Sequence, residues 1–153
     1  MFGRSNIGNS LYIGAFSGVL MALLLRVIEA ITDVRVYTLL LNVDFIPFIG
    51  QIPWPEPIEF LFHLVISIGI TFIFIHLADR LKFRDSFSNY LYLSFILCLP
   101  AICLYIPLSA LAIKGVPKWN DWTAFTYWCI AHFVYIWLLP IFYIQKKRSI
   151  SSR

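Results

Sequence analysis

Residues 58–77 read IEFLFHLVISIGITFIFIHL, twenty positions without a proline and with Glu59 as the only formal charge. A helix rises 1.5 Å per residue, so this stretch is about 30 Å long, the thickness of a bilayer's hydrocarbon core. Lipid offers no hydrogen-bond partners, so a spanning segment is either a helix or a strand of a closed barrel. The apolar residues here run continuously rather than alternating, which selects the helix. Three further runs meet the same criterion, at about 11–31, 90–113 and 122–144. The fold expected is an all-α integral membrane bundle of four transmembrane helices in one domain, 1–153, with a long outward-facing loop between the first two.

Composition supports this reading. Of 153 residues, 60% are hydrophobic and 13% charged, against about 25% charged in soluble domains. The mean hydropathy is +0.81. A globule this small could not hide that much apolar surface from water, and disorder requires the opposite composition. The cysteines Cys98, Cys103 and Cys129 all lie inside apolar runs and do not form a disulfide framework. The first run ends in charges rather than a small-residue cleavage site and reads as a retained span, with Asn9 or Ser10 as its N-cap. Pro100 and Pro107 should kink the third span, and Pro140 falls in the last turn of the fourth, which should stop at Gln145.

The connection 32–57 is the longest. Its apolar pieces, 36–41 and 45–50, are too short to cross, and Pro53, Pro55 and Pro57 favour an extended backbone. A short helix and loop lying along the lipid surface, with Trp54 as an interfacial anchor, is the expected arrangement. Counting Lys and Arg then sets the orientation. One side carries eight (Arg4, Arg80, Lys82, Arg84, Lys146, Lys147, Arg148 and Arg153) and the other four (Arg26, Arg35, Lys114 and Lys118). Acids divide the other way, with Asp79 and Asp85 alone on the first side. Retention of basic residues in the cytoplasm puts both termini there. The basic tail reads as a topology anchor touching anionic lipid, so the net charge of +4 does not imply nucleic acid as a partner.

Charge within a span is costly, by roughly 2.5–3.5 kcal/mol at its centre, so the polar residues there carry the functional question. Arg26, Glu29 and Asp33 share one face of the first helix at spacings of three and four. Glu56, Glu59, His63, Ser67 and Thr71 form a stripe about four turns long on the second. Cys129 and His132 lie three apart on the fourth, and His76 reads as an interfacial residue off the stripe. Arg26, Glu29, Glu59, His63 and His132 therefore form a candidate intramembrane polar cluster, with Arg26 neutralising Glu29 or Glu59 and a histidine bonding the remaining carboxylate. Such a cluster serves either as a buried ion-pair network holding helices in register or as a proton or ion pathway. Metal binding by Glu59, His63 and His132 lacks an HExxH or paired-cysteine signature, and no nucleophile–base–acid spacing is present. No metal, cofactor or catalytic residue is assigned. Gly14 and Gly18 form a GxxxG motif that permits close helix contact, within the chain or with a second copy.

Several of these segments are jointly similar to one family. Gly14-Ala15-Phe16-Ser17-Gly18 followed by Arg26 and Glu29, a proline-rich loop ending Ile52-Pro53-Trp54, a span bearing His63 and ending in Asp79, and Ala131-His132-Phe133-Val134-Tyr135-Ile136-Trp137 before a basic tail resemble the YagU-type inner-membrane proteins of bacteria. The resemblance implies the fold, a bacterial cytoplasmic-membrane location and the polar cluster, and it implies no reaction. The expected function is that of a non-enzymatic structural or regulatory membrane component. An oligomeric proton- or ion-linked transporter using the cluster is the alternative. The expected partners are the lipid bilayer and either a second copy or other membrane proteins.

Overall fold

The computed structural model describes residues 4–44, 46–81 and 86–151, with side chains over 7–44, 46–81 and 86–149. Lys82, Arg84, Asp85, Arg153 and the Arg4 side chain, all counted in the charge argument, lie outside the described residues, as does Phe45 of the second apolar loop piece. The elements are α1 (Arg4–Thr32), α2 (Val36–Leu40), α3 (Glu56–Arg80), α4 (Phe87–Cys103), α5 (Tyr105–Ala110) and α6 (Trp122–Ser151), with no strand among the described residues. Four helical stretches are long and apolar enough to cross a membrane: Ile7–Thr32, Glu56–Arg80, Phe87–Ala110 and Trp122–Ser149. The chain is thus a multi-pass helical membrane protein. One end of the bundle, here the loop end, carries the connections 33–55 and 111–121. The other, the terminal end, carries the start of α1 and the end of α6.

The bundle is apolar outside as well as inside. Leu23, Val27, Leu61, Val65, Ile96, Leu99, Ile130 and Trp137 are all exposed, whereas Ser67, Thr71, Ser94, Glu59 and His132 are buried. In water that distribution would leave a large unprotected apolar surface; in lipid it turns these costly polar groups inward.

The helix ends differ from the simple reading in ways that local chemistry explains. α1 already runs through Asn9 and Ser10, so neither caps it, and Ser10 is buried within the helix. Its C-terminus closes at Asp33 in the left-handed conformation (φ 58°), with the Asp33 N–H donating to Glu29 O at 2.9 Å, as helices commonly end. The third span breaks at Leu104 and ends at Ala110 rather than at 113. Pro107 has no N–H to donate to the Cys103 carbonyl, so the break falls one turn before it. α6 passes straight through Pro140 and continues beyond Gln145 to Ser151. The carbonyl that Pro140 leaves unbonded is that of Ile136, and Ser94 of α4 donates to it at 2.9 Å, turning the lost helix bond into a bond between helices.

The α1–α3 seam is the closest. A Cβ placed on Gly14 would meet Ile68 Cα at 2.7 Å, and one on Gly18 would meet Ser67 Oγ at 2.7 Å. The GxxxG motif thus packs α1 on α3 of the same chain, with Ser67 Oγ donating to the buried Gly14 carbonyl at 2.7 Å. Tyr135 of α6 ties in by donating to Ser67 O at 3.0 Å. At the terminal end Tyr143 donates to Asp79 at 2.6 Å, and the Phe74, Tyr90 and Tyr143 rings pack edge to face. His76 stacks on Phe72 one turn away.

The first half of the connection 33–55 does not lie along the lipid surface, whereas Phe48 and Ile52 of the second half are exposed. Val36 and Leu39 of α2 are fully buried, and Leu41, Asn42 and Val43 nearly so. The piece 36–43 is too short to span yet apolar enough to prefer the bundle's own interior, and it plugs the loop end. Asn42 Nδ2 donates to Leu108 O at 2.9 Å, and the Ile113 and Lys114 amides donate to Asp44 at 2.8 and 3.0 Å. Trp54 is held by the loop itself, donating to Ile49 O at 3.0 Å with its ring edge-on to Phe62. After Pro55, in extended conformation, α3 begins with Pro57 in its first turn.

Candidate functional site

The five candidate residues fall into two groups. Three lie at the loop end, each with a partner outside the expected set. Arg26 pairs with Glu56 at 3.3 Å, both side chains more than half exposed, and its guanidinium sits 5.4 Å over the Tyr37 ring. Tyr37 donates to the same Glu56 oxygen at 3.0 Å. Burial, then the Glu56 carboxylate, raises the Tyr37 phenol above its usual pKa, so it remains a donor.

Glu29 accepts from the Thr38 amide at 2.9 Å and the Thr38 hydroxyl at 2.7 Å. Arg35, the N-cap residue of α2, makes no side-chain cap bond; Glu29 supplies the missing acceptor from α1, and its negative charge suits the first turn of a helix. Glu59 is buried and forms an ion pair with Lys114, which reaches it from the 111–121 connection. The expected pairing of Arg26 with Glu29 or Glu59 is therefore corrected. Each acid is engaged by a group from a connecting segment or the next helix, and neither histidine bonds a carboxylate.

His63 and His132 form the second group. Both are buried and line one cavity of about 70 Å³ inside the bundle, together with Ser67, Cys98, Trp128 and Tyr135. His63 Nε2 lies 3.4 Å from Gly18 O, and His132 Nδ1 lies 2.8 Å from Trp128 O. A carbonyl only accepts, so each of these nitrogens carries the proton. Tyr135 links Ser67 Oγ at 3.0 Å and Thr71 Oγ1 at 3.3 Å, continuing the polar column toward the terminal end. The stripe His63–Ser67–Thr71 was readable from spacing. Its partner face, Trp128–His132–Tyr135, follows the same three-and-four rule on α6, but two aromatics do not stand out in a chain with 18% aromatic residues. Glu56, on the stripe, has its place as the Arg26 partner; Lys114 had no spacing signal at all.

Among the described residues no group of three or more His, Cys, Asp or Glu is placed to hold a metal ion. No family model, curated protein or solved structure matches this chain.

Proposed function

We propose that this chain is a YagU-type, non-enzymatic component of a bacterial cytoplasmic membrane, with both termini in the cytoplasm and a structural or regulatory role. What supports the role most is that the candidate acids and Arg26 are each engaged within the chain, Arg26 with Glu56, Glu29 with Thr38 and Glu59 with Lys114. Such pairs hold helices in register. The loop end, where Arg26 and Glu56 remain exposed beside the plug, is the surface offered to other membrane proteins.

The test is a flux assay in liposomes with an entrapped pH-sensitive dye. Vesicles carrying the protein should leak protons no faster than empty ones. A flux that disappears in both Glu59→Gln and His63→Ala would overturn the structural reading in favour of proton-linked transport, for which the His63–Tyr135–Thr71 column is the supporting feature. Reporter fusions at each terminus test the orientation: activity of a periplasmic reporter at either one would contradict it.

A further inference from the structure

The cavity beside the histidines is not closed by protein on every side. Between α3 and α4 its wall is made by Ile66, which is 55% exposed, and Leu104, which is 39% exposed. Both lie within stretches long and apolar enough to cross the membrane, so this side gives onto hydrocarbon.

The polar demand inside is specific. With Nε2 of His63 and Nδ1 of His132 donating to carbonyls, His63 Nδ1 and His132 Nε2 are lone-pair acceptors with no partner among the described residues. Both residues line the cavity, and an acceptor without a donor is costly away from water, so an occupant that satisfies them is favoured. It must donate twice.

No carboxylate, lysine or arginine lines the cavity. A charged headgroup would lack a counter-ion there, which excludes phosphates and ammoniums. Esters and ketones cannot donate. A cavity of about 70 Å³ holds the volume of two or three waters, at about 30 Å³ each. That suits a few heavy atoms and not an acyl chain. We propose that the cavity is a lipid-accessible binding site for an uncharged amphiphile with a diol head, of the monoacylglycerol class. Its two hydroxyls donate to His63 and His132, and its chain leaves past Ile66 and Leu104 into the bilayer. This rests on the membrane-spanning fold and is independent of the role proposed above.

The probe is 1-monooleoylglycerol, titrated onto the full chain in detergent and read by native mass spectrometry, with its di-O-methyl ether as the control that keeps the oxygens and removes both donors. One adduct per chain is expected, binding the ether at least about tenfold more weakly. His132→Phe should weaken the diol about fivefold, the scale of one hydrogen bond. Ile66→Trp, on the exposed lip, should block it while leaving the thermal melt unchanged. Equal binding of diol and ether would reduce the site to an apolar groove and overturn the proposal. So would the absence of any adduct, which would leave water as the occupant, or an Ile66→Trp variant that binds like the parent. If His132→Phe does not fold, the ether control and Ile66→Trp still decide.

Discussion

The two seams of α3 are built on opposite plans. Toward α1 it meets two glycines at backbone contact, and Ser67 fills the close approach with a hydrogen bond to Gly14 O. Toward α4 its Ile66 and Ile70 line a cavity, and nearby Gly69 has nothing within 4 Å of an added Cβ. In lipid there is no hydrophobic force to press helices together, so close packing and hydrogen bonds decide which surfaces join. The difference teaches that one helix can be a fixed strut on one face and an access route on the other.

Substitutions that separate the two seams should therefore have very unequal effects. Gly14→Leu drives a side chain into the Ile68 backbone, whereas Gly69→Leu, on α3 itself, enters free space. We expect the first to cost about 3 kcal/mol in reversible unfolding by denaturing detergent, and the second to cost nothing measurable. Equal losses would erase the distinction.

Next in size is Ser94→Ala. It strands the Ile136 carbonyl that Pro140 has already deprived of its helix partner, and should cost about 1–2 kcal/mol in the same assay. Restoring the donor by Pro140→Ala in the Ser94→Ala background should recover most of that loss; no recovery would sever the link between proline and serine. Smaller again is Tyr135→Phe, which removes the tie between α6 and α3 and should cost about 0.6 kcal/mol, the average for a hydrogen bond between membrane helices. The Arg26–Glu56 pair is exposed, and Glu56→Gln should change stability by less than about 0.5 kcal/mol.

The spans were readable because continuous hydrophobicity over twenty residues has a single physical solution in lipid. The Gly14–Gly18 contact was readable as a contact, though not its partner, since a small-residue face fits any helix that comes near. The plug at 36–43 was misread because a short apolar piece beside a membrane is equally content on the surface or inside the bundle; periodicity does not distinguish them. The ion pairs were misassigned for a different reason. Spacing along one helix places charges on a face, but Lys114 and Thr38 arrive from connections whose paths depend on the tertiary fold. His63 and His132 were rightly singled out as inward-facing. That they would bond backbone carbonyls, leaving their other nitrogens to a cavity, depends on sub-ångström placement that no pattern in the chain encodes.

The account depends above all on α1 being seated on α3 of the same chain. Cross-linking measures that directly. In a background with Cys98, Cys103 and Cys129 replaced by alanine, Gly18→Cys together with Ser67→Cys puts two thiols where a Cβ added to Gly18 would lie 2.9 Å from that of residue 67, which a small outward shift brings into disulfide range. Oxidation in native membranes should give an intrachain bridge, seen as a monomer of altered mobility that reverts on reduction. A covalent dimer with no bridged monomer, or no bridge at all, would contradict it.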